Sequence, residues 1–111
     1  MSRNVASEKT TTPVALRLVM RHLLKWDHQA ERRIRSLTLS IPEHRKRAQR
    51  QLRKNPGLKS RLHEALESAH EDARLEASSE TGLPMKVFPL QRPFEYAEIM
   101  ERRVVWLGDE V

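Results

Sequence analysis

The sequence predicts an all-α fold, a small bundle of three to four helices with one long first helix, an extended proline-rich connector and a short C-terminal helix. Apolar residues recur at steps of three and four over most of the chain, which is the spacing of an amphipathic helix, and no alternating strand pattern competes with it. The chain has 111 residues and only 3 Gly, which is few for a turn-rich β fold. A chain of this length forms one domain with one modest core.

The first helix begins at a start signal in which Thr12 is the N-cap and Pro13 occupies the first helical position. Residues 1–12 therefore form a polar N-terminal tail, and residues 13–103 form the helical domain. A heptad-like seam continues from this start for about seven turns. The seam residues are Leu16, Met20, Leu23, Asp27, Ala30, Ile34, Leu37 and Ile41.

A break or bend is predicted near residue 40. Ser40 and Glu43 have the spacing of a capping box, and Pro42 cannot lie deep inside a helix without a kink. A second helix then runs to Lys54, with a thin apolar face and a strongly basic remainder. The Asn-Pro-Gly segment 55–57 ends this helix, and its Asn-Pro pair caps the next one.

An alanine-striped third helix is predicted from about Pro56 to Thr81, where a glycine and then a proline form a stop signal. Residues 84–93 contain three Pro and form the extended connector. A short helix follows from Phe94 to Arg102. Residues 104–111 form an apolar C-terminal tail that is either strand-like or docked on the core. The residues expected in the core include Leu23, Leu62 and Leu66.

Charge is divided unevenly along the chain. Residues 17–61 contain 14 Lys or Arg against 3 acidic residues, whereas residues 62–111 contain 5 basic residues against 11 acidic ones. One interpretation is that basic and acidic helices pack together and neutralise each other within the fold. The other is that the basic half binds nucleic acid or an acidic protein surface.

Composition excludes several classes of site. The chain has no Cys, which removes disulfides, thiolate metal sites and thiol nucleophiles and fits a reducing compartment. No apolar run is long enough for a membrane span, and the N-terminus lacks the apolar core of a signal peptide. We therefore expect a soluble, cytoplasmic protein that has no membrane partner.

Catalytic and metal-binding signals are weak. No two of the five His have the three- or four-residue spacing of helical metal ligands, so we predict no metal and no cofactor. Arg17 and His22 have the spacing of the HEPN-type ribonucleases, and Arg21 and His28 have its six-residue variant. Such spacings arise by chance in a chain this rich in Arg. We predict that the protein is not an enzyme, has no catalytic residue and has no evident small-molecule substrate, with a HEPN-like ribonuclease as a remote alternative.

The basic helix 45–54 is a candidate for contact with a phosphate backbone. It lacks the aromatic residues on which single-strand binders stack bases, and it does not belong to a recognisable helix-turn-helix. Nucleic-acid binding is therefore the alternative function. The candidate contacts are Arg45, Lys46, Arg47, Arg50, Arg53 and Lys54.

Five segments, in this order and spacing, carry a resemblance to a known family. They are His22-Leu23-Leu24-Lys25-Trp26, Glu31-Arg32-Arg33-Ile34-Arg35-Ser36, Asn55-Pro56-Gly57-Leu58, Glu71-Asp72-Ala73-Arg74-Leu75-Glu76-Ala77, and Glu80-Thr81-Gly82-Leu83-Pro84 with Phe88-Pro89. From about Val14 to Met100 the chain resembles the bacterial family catalogued as domain of unknown function twenty-nine. The resemblance implies an all-helical fold, and the family supplies no established activity, cofactor or catalytic residue that could be carried over. It also implies a further N-terminal helical region, in whose place this chain has only the polar tail.

The leading predicted function is protein–protein interaction. The first helix is apolar on more than one side between Val14 and Trp26, and an uncovered apolar patch of this kind is typical of an interface. We expect a larger protein or a second copy to cover it, as for a small adapter or inhibitor of bacterial, phage or mobile-element origin. Coverage by Val104 to Leu107 of the same chain is the alternative. The candidate interface residues are Leu16, Arg17, Leu18, Val19, Arg21 and Lys25.

Asp27 is the one charged residue on the seam of the first helix, and two placements are open. A buried carboxylate is costly unless it is paired, so Arg, Lys or a helix end could meet it. Alternatively, Trp26 takes the seam position and the Asp27 side chain turns to solvent.

Overall fold

The computed structural model describes residues 14–29, 33 and 35–105, and every regular element within these residues is helical. This confirms the predicted all-α fold. A 3-10 turn covers Met85–Val87. The α-helices are α1 (Val14–His28), α2 (Arg35–Lys54), α3 (Pro56–Ser60), α4 (Leu62–Thr81) and α5 (Tyr96–Glu101). None of these helices is long and apolar enough to cross a membrane.

Helix α1 is the centre of the bundle. It makes its main packing contacts with α2 on one side and with α4 on another, and it also contacts α5. Leu16, Met20 and Leu23 on its seam are fully buried, and so are Val19 and Leu24. Helix α1 is therefore apolar on several sides because other helices of the same chain cover those sides.

The predicted long first helix is wrong, because α1 ends at His28 and a separate helix begins at Arg35. The Nε of Arg33 donates a hydrogen bond to the carbonyl oxygen of Trp26 at 2.8 Å. Its guanidinium also lies 4.9 Å from the centroid of the Trp26 ring. Arg33 thus gives a C-terminal carbonyl of α1 a partner and adds a cation–π contact. The seam residues Ala30 and Ile34 lie outside the described residues, as do Thr12 and Pro13.

Of the break or bend predicted near residue 40, the break is wrong, because Pro42 lies inside the continuous helix α2. A proline in a helix interior costs about 3 kcal/mol through its missing N–H and its ring. Leu37 and Ile41, which precede the proline on the same helix, are buried, and Ile41 belongs to the main core. Burial of two such side chains contributes about 1.5–3 kcal/mol each, which offsets the proline. Glu43 pairs with Arg47 at 3.0 Å.

The predicted third helix is divided at Arg61, which separates α3 from α4. Pro56 starts α3 as expected, but the Asn55 side chain does not cap it; its Nδ2 donates instead to the carbonyl oxygen of Gln51 at 2.8 Å. Leu66 is buried, whereas Leu62 is only partly buried against the core. The alanine stripe is confirmed, since Ala69, Ala73 and Ala77 are fully buried.

The stop signal of α4 is confirmed. Gly82 has a positive φ of 77°, the left-handed conformation that glycine adopts most readily. Beyond it the connector folds back along α4. The guanidinium of Arg74 donates to the carbonyl oxygens of Phe88 at 2.9 Å and Met85 at 3.0 Å. These bonds hold the connector in place and bring the buried Phe88 ring into the core.

The short C-terminal helix is confirmed as α5, which begins with a capping box formed by Glu95 and Glu98. Just beyond α5, Arg102 forms a two-bond ion pair with Asp27, with N–O distances of 2.7 and 2.9 Å. Of the two placements that the sequence left open for Asp27, the structure shows the ion pair, and Trp26 is buried as well. Val104 packs against the core, while Trp106 and Leu107 lie outside the described residues.

We expect Asp27→Ala to lower the free energy of unfolding by about 1–2 kcal/mol, because the change leaves a half-buried guanidinium without its carboxylate. The side chains of Asp27 and Arg102 are 27% and 31% exposed, so water screens the pair only in part. Urea unfolding of Asp27→Ala, Arg102→Gln and the double variant measures the coupling. Strictly additive effects would show that the pair contributes no stability.

Candidate functional site

The basic residues predicted to rim an interface on α1 are engaged within the chain. Arg17 pairs with Glu76 at 3.1 Å, and Lys25 pairs with Glu80 at 3.0 Å. Arg21 lies between them and bridges both carboxylates, at 3.1 Å to Glu76 and 3.0 Å to Glu80. Because the order of residues is the same on both helices, α1 and α4 run parallel. This charge ladder is an instance of neutralisation within the fold.

The apolar residues predicted for the same interface are largely inaccessible. Leu16 and Val19 are fully buried in the core, and Leu18 is half-buried. The expectation that this seam is uncovered is therefore wrong, because α2 and α4 cover it on either side. Helices α2 and α4 cover the seam of α1, and Val104 near the C-terminus also packs against the core.

The Arg–His spacings do not form an exposed pair. Arg17 is bound to Glu76, and the His28 ring packs edge-on against Phe88 at 5.5 Å. The His22 ring is only 9% exposed and stacks on His44, with ring centroids 5.4 Å apart and planes 21° apart. Burial, together with the positive charge of the nearby Arg21, lowers the pKa of His22 to about 4. The imidazole is therefore neutral at physiological pH.

The six basic residues of α2 that were predicted to contact nucleic acid fall into two groups, those with a partner within the chain and those without one among the described residues. The guanidinium of Arg45 donates to the carbonyl oxygens of Ile99 at 2.7 Å and Glu98 at 3.2 Å. Arg45 thus fixes α5 to α2, and burial lowers its pKa. Arg47 pairs with Glu43 on its own helix. Both residues have partners within the chain, so four of the six predicted nucleic-acid contacts remain unpaired among the described residues.

The four remaining cations are Lys46, Arg50, Arg53 and Lys54, and all are exposed. Among residues 14–29, 33 and 35–105, none of them has a hydrogen-bond or ion-pair partner. At 3.6 residues per turn they occupy an arc of about 100° on the helix, and the core residues Ala48 and Leu52 lie on the opposite side. We call these four side chains the basic face of α2.

Two further exposed cations follow the basic face in the chain and were not among the predicted contacts. They are Lys59 in α3 and Arg61 at the turn between α3 and α4. The signal that could have found them is the extent of the acid-free segment. Residues 44–61 contain eight Lys or Arg and no Asp or Glu, so the local charge remains unneutralised by sequence neighbours.

No cluster of three or more His, Cys, Asp or Glu is arranged to hold a metal ion in the part of the chain that the structure describes. Arg92 bonds to Glu67 at 2.7 Å and also to the carbonyl oxygen of Phe94. The bond to Arg92 lowers the pKa of Glu67. These contacts attach the connector to α4 and therefore stabilise the fold.

Comparison with protein-family models identifies the family of the chain. The model of the family described as domain of unknown function DUF29 matches residues 3–105. No curated protein and no solved structure matches the chain. The matched range covers every described helix and most of the predicted polar tail.

Proposed function

Because the chain belongs to the DUF29 family, whose description gives no function, we propose a function from its surface: a non-catalytic protein that binds nucleic acid through phosphate contacts. The observation that carries this proposal is the basic face of α2, four exposed cations without a partner in the described residues. Lys and Arg at such positions release counterions when they meet phosphates, and this supplies sequence-independent affinity.

Charge balance supports the choice of this face. The cations of α1 are paired with carboxylates of α4, whereas most cations of the acid-free segment 44–61 have no ion-pair partner among the described residues. An overall net charge of +6 adds a long-range attraction to polyanions. A cytoplasmic location belongs to the same proposal, since nucleic acid is found there.

The protein-interaction role predicted first from the sequence has less support, because its apolar seam is buried. Exposed leucines exist elsewhere, at Leu39, Leu75 and Leu90, but they belong to three separate elements. An adapter or inhibitor function would therefore act through the basic face and an acidic protein surface. The experiment below includes that outcome.

The test is binding to fluorescently labelled DNA and RNA at about 50 mM salt, measured by anisotropy. We expect the wild type to bind, and we expect joint replacement of the four basic-face residues by Gln to abolish binding. The variant spares Arg45, whose loss would detach α5 from α2. Circular dichroism of the variant checks that the fold is intact.

A control removes charge elsewhere and is compared with Arg50→Gln and Arg53→Gln on the basic face, a pair of changes that also lowers the net charge by two. Lys86 and Arg103 are exposed, and neither has a partner within the described residues, so Lys86→Gln with Arg103→Gln lowers the net charge by two without touching the basic face. Retained binding by this control would locate the contact on α2. Absence of any anisotropy change for wild type on every nucleic acid, with capture of an acidic protein, would refute the proposal and favour an adapter.

A further inference from the structure

The shape and composition of the basic face allow the ligand class to be narrowed. The face lies on the side of α2 opposite its core residues, so its cations point away from the bundle and approach a ligand from one side. At 1.5 Å per residue, Lys46 to Lys54 spans about 12 Å along the helix axis. This is a row of charges on an outward surface.

The described residues provide no aromatic platform beside this row. No Phe, Trp or Tyr occurs between residues 35 and 61. Trp26, Phe88 and Phe94 are buried, and among the described residues only Tyr96 presents a partly exposed ring of this kind. Proteins that bind single strands combine a basic groove with several rings on which successive bases stack. The basic face has the charge of such proteins but not their rings.

A duplex suits a one-sided row of cations better than a single strand does. Its bases are already stacked on one another, so no side-chain platform is needed. Its two strands place one phosphate per about 1.7 Å of axis, about twice the density of one strand. A row about 12 Å long therefore faces more phosphates on a duplex.

We propose that Lys46, Arg50, Arg53 and Lys54 bind the phosphate backbone of double-stranded nucleic acid without regard to base sequence. The inference rests on the proposed function and adds the strandedness of the ligand. Between residues 46 and 54 the exposed side chains are Lys, Arg and the single amide of Gln49. The four basic-face cations supply contacts to phosphate oxygens, and such contacts carry no information about base sequence.

The experiment compares a duplex DNA, a duplex RNA and the single strands of each, all of about 20 nucleotides, in the same anisotropy titration over a range of salt. We expect each duplex to bind at least tenfold more tightly than its single strands. Two duplexes of unrelated sequence should bind within about twofold of each other. The log–log salt slope on duplex DNA should be about −4, as four neutralised phosphates predict.

The variant Arg50→Gln with Arg53→Gln should have a shallower slope, changed from about −4 to about −2. The control Lys86→Gln with Arg103→Gln should have the same slope as the wild type. Equal or tighter binding of single strands would overturn the duplex assignment while leaving the proposed function intact. A strong preference for one duplex sequence would overturn the sequence independence. Failure of every nucleic acid to bind would refute the proposed function itself, so the two failures are distinguishable.

Discussion

Leu23→Ala is expected to lower the free energy of unfolding by about 2–5 kcal/mol. Leu23 is fully buried and lies in α1, which packs against both α2 and α4. Neighbours on both sides restrict the collapse of the cavity that the substitution leaves, so the cost includes a cavity contribution as well as lost burial. Since a domain of this size has about 5–15 kcal/mol of stability in total, the effect is large. Urea unfolding followed by circular dichroism measures it.

Leu75→Ala is the matched control, because it removes the same atoms from a side chain that is 59% exposed. We expect a change within about 0.5 kcal/mol for the control. Leu62→Ala should fall between the two variants, since Leu62 is only partly buried. Equal destabilisation by Leu23→Ala and Leu75→Ala would show that α1 is not the centre of the bundle.

Periodicity predicted the helices but not the arrangement of α1. The apolar residues between Val14 and Trp26 lie on more than one side of the helix, and those outside the seam were predicted to form an interface. In the structure these additional apolar residues are needed because two helices flank α1. The width of an apolar face indicates how much of a helix is covered, but it does not distinguish cover by the same chain from cover by a partner.

Local signals also failed where tertiary packing opposed them. Pro42 and the Ser40–Glu43 spacing predicted a break, yet burial of Leu37 and Ile41 keeps α2 continuous. By contrast, Gly82 was predicted correctly, because a left-handed residue after a helix has a local cause that packing does not override. The ion pair of Asp27 and Arg102 joins residues 75 positions apart. Its partner was not predictable from any local pattern.

The candidate site was predicted only in part. The excess of positive charge between residues 17 and 61 was evident in the sequence. Helix packing decides which of those cations are unpaired. Carboxylates of α4 pair with Arg17, Arg21 and Lys25. The carbonyl oxygen of Ile99 accepts a hydrogen bond from Arg45. Within the described part of α2, the solvent-facing cations Lys46, Arg50, Arg53 and Lys54 remain unpaired, and that geometry defines the basic face.

Acidification from pH 7 to pH 5 is expected to destabilise the protein by about 2 kcal/mol through His22 alone. The pKa of His22 is lowered from 6.5 to about 4 in the folded chain, mainly by burial. Between pH 6.5 and about pH 4, His22 is therefore mainly protonated in the unfolded chain and mainly neutral in the folded chain. The stability associated with neutral His22 is fully present above pH 6.5 and is lost as the pH falls toward 4. His44, whose pKa is also lowered, adds to the loss in the same direction.

The stacked pair explains why protonation is resisted. The Nδ1 atoms of His22 and His44 are buried and have no hydrogen-bond partner among the described residues, so no nearby acceptor stabilises an added proton. Arg21 and Lys25 oppose the charge on His22, and Glu80 only partly compensates. Proton uptake therefore favours unfolding or separation of α1 from α2.

His22→Leu removes the titrating group while keeping an apolar side chain at the buried position. We expect this variant to lose about 2 kcal/mol less stability than wild type between pH 7 and pH 5, whatever its stability at pH 7. His63→Gln is the control, because His63 is exposed on α4; its pH profile should follow that of the wild type. Urea unfolding at pH 7, 6 and 5 gives the three profiles. If His22→Leu and wild type lost stability in parallel, the acid sensitivity would belong to other groups, and His22 would already accept its proton in the folded chain.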